Sequence, residues 1–192
     1  MFNQDFYPTP EPLAHRMFDK VDFSKVENIL EPSAGKGDLI EALNSYKLKS
    51  QLDESMYYHR RDYQISAIEI NPDLQATLVG KKIPVIDDNF LTYSGSTHFD
   101  LIMANFPFSD GEHHLTKVLD IIFCGQLVCL VNAETLKNPH TNIRKVLAHR
   151  LEKLNAEIEY IGNAFLDAER KTTVEVALVY VNIERSVETE IL

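Results

Sequence analysis

The alternation of apolar strand segments with amphipathic helical segments predicts an α/β fold: a mostly parallel sheet with helices on both faces. Three observations carry this. Leu127 to Val131 is a continuous apolar run, as expected for a strand buried on both faces. Leu115, Val118, Leu119, Ile122 and Phe123 recur at helical spacing just before it. Asn71-Pro72-Asp73 follows an apolar strand directly and reads as a helix start, with Asn71 as N-cap and Pro72 in the first turn.

The elements follow in order. The proline-rich start (Pro8, Pro10, Pro12) leads into a short helix carrying Leu13, Met17 and Phe18. A first strand holds Val26, Ile29 and Leu30 and ends at Glu31-Pro32. The loop Ser33-Ala34-Gly35-Lys36-Gly37 precedes a helix from Asp38 with Leu39, Ile40 and Leu43 on its apolar face. A polar connector with Tyr57, Tyr58, Arg60 and Arg61 reaches a second strand, Ile65 to Ile70. A third strand is expected at Ile83 to Ile86 and a fourth at Phe99 to Ala104, the latter feeding Asn105-Phe106-Pro107-Phe108. After the fifth strand, Ile143, Val146, Leu147, Leu151 and Leu154 mark a helix, and Ile158–Ile161 and Val174–Val181 are the last strands. The sequence shows neither an internal repeat nor a Gly/Ser linker, so residues 1–192 read as one domain.

Composition narrows the function. With 192 residues, 44% of them hydrophobic and 25% charged, the chain is an ordinary globular one. No apolar run approaches the ~20 residues of a membrane span, and the first residues lack the basic and apolar regions of a signal peptide. A cytoplasmic protein without membrane partners is expected. Cys124 and Cys129 lie in an apolar stretch and read as buried hydrophobes. The net charge of −10 excludes nucleic-acid binding through a global positive field but not through a local basic patch.

In parallel α/β sheets ligands bind beyond the carboxyl ends of the strands, so four loops matter. In the first, Gly35 and Gly37 allow backbone to approach a ligand, and the helix from Asp38 offers free N–H groups beside it. Glu31 would repel a pyrophosphate and attract an ammonium group, which disfavours a dinucleotide-dependent oxidoreductase. In the second, Glu69 can accept from ribose hydroxyls; the competing reading is an exposed acid capping the next helix. In the third, Asp88 or Asn89 offers an acceptor to an adenine amine and Phe90 a cover for its ring; the competing reading is a solvated turn. The fourth is the most specific. Asn105 stands where the chain leaves a buried strand, Pro107 stiffens the turn and Phe108 is presented beside it.

With these residues together, the sequence resembles the class I methyltransferases that use S-adenosylmethionine (SAM), and among them the N6-adenine enzymes with an Asn-Pro-Pro-aromatic motif. The likeness runs over nearly the whole chain. It implies a Rossmann-like, seven-stranded sheet whose last strand is antiparallel. It implies SAM as cofactor and S-adenosylhomocysteine (SAH) as product. Phe6-Tyr7-Pro8-Thr9-Pro10 is similar to the family's segment at the methionine end, which places Tyr7 and Thr9 there. Glu31, Ser33, Ala34, Gly35 and Gly37 correspond to the glycine-rich cofactor loop, Glu69 and Ile70 to the ribose loop, and Asp88, Asn89 and Phe90 to the adenine loop. Asn105, Phe106, Pro107 and Phe108 match the catalytic motif, with Asn105 also touching the cofactor. Phe106 stands for the usual first Pro and Asn89 for the usual Asp, and a separate target-recognition domain is not expected.

The resemblance implies methylation of the adenine N6 amine in nucleic acid, DNA ahead of RNA. Asn105 and the Phe106 carbonyl would accept from the amine, and Phe108 would stack on the base. Arg170 and Lys171, in the turn before the last strand, are the best-placed contacts to substrate; Lys36, Arg60, Arg61, Arg144, Lys145, Arg150 and Lys153 are weaker candidates. His113 and His114 read as solvent-facing, with no metal site. Methylation of RNA adenine, methylation of a protein glutamine, and a non-catalytic SAM-binding module acting through a protein partner that supplies target recognition are the alternatives.

Overall fold

Seven strands form one sheet: β1 (Asn28–Glu31), β2 (Gln64–Ile68), β3 (Val85–Asp87), β4 (Leu101–Asn105), β5 (Gly125–Asn132), β6 (Glu157–Ile161) and β7 (Val176–Ile183). Their order is β3-β2-β1-β4-β5-β7-β6. β1 to β5 run parallel, while β7 is antiparallel to both β5 and β6. The expected class, strand number and antiparallel last strand are all present. The computed structural model describes residues 8–51, 62–165 and 174–184. Phe6, Tyr7, Tyr57, Tyr58, Arg60, Arg61, Arg170 and Lys171 lie outside them.

The period of two along each strand divides the core between the two faces of the sheet. Ile29, Met103, Val128, Leu130 and Leu178 face α1 (Glu11–Phe18) and α2 (Asp38–Gln51), packing on Leu13, Met17, Phe18, Leu39 and Leu43. Leu30, Ile102, Ala104, Leu127, Cys129, Val131 and Val179 face α4 (Gly111–Ile121) and α6 (Asn142–Lys153), packing on Leu115, Val118, Leu147 and Leu151. α3 (Pro72–Gly80) covers Ala67 through Leu78. Asn71 caps α3 as expected, its side chain accepting the amides of Asp73 and Leu74 at 2.9 and 3.4 Å.

Several boundaries differ from the sequence reading. Val26 follows a 3-10 turn, Phe23–Lys25, rather than opening β1. β2 ends at Ile68, which puts Glu69 and Ile70 in the loop; β4 extends to Asn105. A four-residue helix α5, Glu134–Lys137, follows β5 without having been expected. Gly125 opens β5 at φ +121, and a Cβ there would stand 2.8 Å from the Asp100 carbonyl oxygen. No described helix is long and apolar enough to cross a membrane.

Candidate active site

The loops after β1, β2, β3 and β4 converge on one cavity of about 290 Å³ at the carboxyl edge of the sheet. Of the expected site residues, Thr9, Glu31, Ser33, Ala34, Gly35, Glu69, Ile70, Asp88, Asn89, Phe90, Asn105 and Pro107 line it. Gly37, Phe106 and Phe108 do not.

The first two loops are tied through one side chain. Glu69 Oε2 accepts the Gly35 amide at 2.7 Å, and Oε1 accepts the Asn71 amide at 2.9 Å. Ala34 N–H donates to the Ile68 carbonyl at 3.1 Å. Gly35 turns at φ +57, in the region a side chain disfavours. Gly37, at φ +90, faces away from the cavity: a Cβ on it would lie 3.1 Å from both Ile83 and Leu78. Its role is packing of the turn on α3. Burial pushes the Glu69 carboxyl up from its ordinary range, while its amide bonds pull the other way.

Glu31 is only 3% exposed and its Oε2 is buried, with no hydrogen-bond partner among the described residues. Desolvation first, then the neighbouring charges of Asp38 and Glu69, push its carboxyl well above the usual carboxylate value. Among the described residues this buried acid has no cationic partner, and an ammonium group would supply one.

The third loop is built on turns capped by side-chain oxygens, one from a carboxylate and one from an amide. Asp87 Oδ1 accepts the amides of Asp88 and Asn89, and Asn89 Oδ1 accepts that of Leu91 at 3.0 Å. Phe90 is buried, but Ile70 is 64% exposed although it lines the cavity. With Leu74 and Leu91, these residues give that end of the cavity apolar walls of the kind a planar base requires.

The fourth loop starts inside the sheet. Asn105 pairs with Leu130 of β5 as the last residue of β4. The Phe106 amide then donates to the Leu130 carbonyl at 3.1 Å, a bond that proline could not make. The Phe106 ring is 1% exposed and sits in the core. The Phe108 ring is half-buried, edge-on to Phe165 at 5.7 Å.

His114 corrects the sequence reading. Rather than facing solvent, its side chain is 13% exposed and lines the cavity. Its ring stacks on Phe90 at 6.1 Å and tilts against Phe106 at 5.6 Å. Nδ1 lies 2.9 Å from the Asp110 carbonyl oxygen. The spacing of Leu115, Val118 and Leu119 already contained the signal, because it rotates His114 inward at the top of α4. His113 is exposed, as expected, and meets Asp110 at 2.6 Å. Among the other basic candidates, Arg144 is engaged by the buried Glu112 at 3.1 Å and Arg150 by Asp120 at 2.6 Å.

Comparison with known proteins fits this geometry. No family model matches the chain, and no curated protein matches it in sequence. Solved structures do match. The 23S rRNA methyltransferase ErmE aligns with a TM-score of 0.65 and 16% identity over 93% of this chain and 70% of its own. A methyltransferase subunit of a type I restriction-modification system from Streptococcus thermophilus aligns with a TM-score of 0.67 and 13% identity over 94% of this chain and 45% of its own. The chain has a Rossmann-like methyltransferase fold. A third methyltransferase of this fold, the glycopeptide N-methyltransferase MtfA, solved in complex with SAM, aligns over 93% of this chain and 96% of its own at 10% identity and a TM-score of 0.55.

Proposed function

We propose that this methyltransferase-fold chain is an enzyme that transfers a methyl group from SAM to the N6 amine of adenine in nucleic acid, DNA favoured, in the cytoplasm. The observation that carries the reading is the placement of Asn105. It ends β4 at the floor of a cavity whose other walls offer an acid for an ammonium group, an acid between two loops, and apolar walls for a base.

The residues fit SAM. Glu31 would receive the ammonium of the methionine end, near Thr9. Glu69 would bind the ribose hydroxyls with the lone pairs its amide bonds leave. Ile70, Phe90 and Leu91 would enclose the adenine. When bound, SAM supplies an electrophilic methyl group on a sulfonium.

The remaining chemistry belongs to the chain. The exocyclic amine of adenine is a poor nucleophile because its lone pair is delocalised into the ring. The Asn105 side-chain oxygen and the Phe106 carbonyl would accept its two N–H bonds and favour a pyramidal nitrogen. They would also stabilise the positive charge that develops on it. Holding the amine in place contributes roughly 7–11 kcal/mol of the barrier. A duplex base would have to be flipped out to reach Asn105. Phe108 could stack on it only after leaving its contact with Phe165.

One observation favours RNA as a second reading. The chain spans 70% of ErmE but 45% of the restriction subunit. A recognition partner belongs to the DNA reading, since the cavity lining carries no Lys or Arg among the described residues. Incubation with radiolabelled SAM and separate DNA, RNA and protein substrates, followed by digestion and mass analysis, tests the proposal. Label is expected in N6-methyladenine and is expected to vanish in Asn105→Ala. Label confined to glutamine would refute it.

A further inference from the structure

The amino edge of the sheet, opposite the cavity, carries a nucleophile beside a base and an acid. His98 and Asp100 lead into β4, and Cys124 ends the link between α4 and β5. Cys124 Sγ lies 3.8 Å from His98 Nε2, and the same nitrogen lies 3.3 Å from Asp100 Oδ1. The length of β4 separates this cluster from Asn105.

The backbone builds the contact. Asp100 Oδ2 accepts the amides of Glu27 and Asn28 at 3.0 and 2.8 Å, which leaves Oδ1 for the imidazole. The Asp100 amide donates to the Asn28 carbonyl at 2.9 Å, and its carbonyl accepts the Gln126 amide at 2.7 Å. Gly125, at φ +121 and without a Cβ, lets the chain pass against that carbonyl and so brings Cys124 alongside. Of the two cysteines, only Cys129 is the buried hydrophobe that the sequence predicts, and burial pushes its thiol up. Cys124 is partly exposed, and its neighbours leave it open to a small reactant: the His98 side chain is 51% exposed and Phe123 82%.

We propose that Cys124, with His98 as its base, is a nucleophilic thiol that forms mixed disulfides with low-molecular-weight disulfides. Sγ attacks one sulfur of the disulfide; a bond from Cys124 to that sulfur forms and the original S–S bond breaks. The Cys124 sulfur is oxidised and the departing sulfur is reduced. The thiol proton passes to His98 Nε2, where the Asp100 carboxylate faces the imidazolium, and the departing thiolate then takes it up. The site is independent of the SAM reading and takes no part in methyl transfer.

Reaction of the full chain with oxidised glutathione, followed by intact mass and peptide mapping, tests this. One adduct per folded chain is expected, on Cys124, with Cys129 reacting only in urea. An ordinary thiol is only a few per cent thiolate at neutral pH, so a base that takes its proton leaves room for a gain of at least about tenfold. Cys124 in the folded chain is therefore expected to react about tenfold faster than Cys124 in the urea-unfolded chain. His98→Gln is expected to remove most of that gain. Asp100→Asn, which keeps an oxygen for the two backbone amides, is expected to remove a smaller part. A folded rate no higher than the unfolded one would overturn the proposal. So would an adduct on Cys129 in the folded chain, or a rate unmoved by either substitution in a variant that urea unfolding shows to be folded.

Discussion

Glu69 Oε2 accepts the Gly35 amide at 2.7 Å, so the turn after β1 is held by an acid from the turn after β2. The same carboxylate closes its own loop through Asn71 at 2.9 Å. One side chain therefore sets the spacing of the two loops expected to hold the methionine and ribose parts of a ligand. Glu69→Ala would strand two backbone donors, one of them buried. Hydrogen bonds to a charged group contribute about 1.5–3 kcal/mol each. A loss of about 2–4 kcal/mol is expected in urea unfolding, with SAM binding lost in titration of the folded variant. Glu69→Gln is expected to recover only part of the stability, since its amide NH₂ cannot accept from either backbone N–H.

Glu31 behaves in the opposite sense. Its carboxyl in the folded chain holds its proton to higher pH than in the unfolded chain, because of desolvation and then Asp38 and Glu69. The folded state therefore binds more protons over the interval between the two values, and stability falls as pH rises through it. Below the ordinary carboxylate range the penalty is absent; above the raised value it is complete. Glu31→Gln removes the ionisation and is expected to flatten this part of the stability–pH profile. At neutral pH the ligand-free variant is expected to unfold at a higher urea concentration than wild type while binding SAM more weakly. A variant both less stable and unchanged in binding would show that Glu31 is a structural acid.

The strand–helix alternation made most of the fold legible, because Leu127 to Val131 and the inward positions of α4 report burial on a sheet directly. The site was legible where backbone position alone decides it: Glu31, Glu69 and Asn105 all sit at or just beyond strand ends and line the cavity. It was not legible where a rotation of a few tens of degrees matters. Gly37 and Gly35 are two residues apart, yet one packs on Leu78 and Ile83 while the other lines the cavity. His114 carries no motif, and only its place in the register of α4 turns it inward. Arg144 is indistinguishable in sequence from a solvent-facing arginine, because its partner Glu112 comes from a different helix.

His114 separates ring packing from hydrogen bonding. Its ring is wedged between Phe90 of the third loop and Phe106 of the fourth, and Nδ1 meets the Asp110 carbonyl. His114→Ala removes both contributions and leaves a void beside two aromatic rings; a loss of about 2–3 kcal/mol is expected in urea unfolding. His114→Phe preserves the wedge and removes one local hydrogen bond, for a loss of about 1 kcal/mol. Titration with SAH should follow the same order, with affinity retained in the Phe variant and reduced in the Ala variant. Equal losses in both would assign the role to the imidazole nitrogen instead.

Phe106 stands where the resembling enzymes carry proline, and the structure makes it the better residue for this chain. Proline would rigidify the turn through φ, but it has no N–H. Here the Phe106 amide extends the β4–β5 ladder by bonding the Leu130 carbonyl at 3.1 Å, and the ring fills the core beside His114. Phe106→Pro would unmake the bond, leave the Leu130 oxygen short of a partner and replace a buried aromatic ring with a smaller one. The backbone and packing losses together are expected to cost about 3 kcal/mol or more. Denaturant unfolding measures the first effect, and methyl transfer by the remaining folded protein measures the second. If restoring the proline instead raised both stability and turnover, Phe106 would be a defect in the acceptor loop and not its anchor.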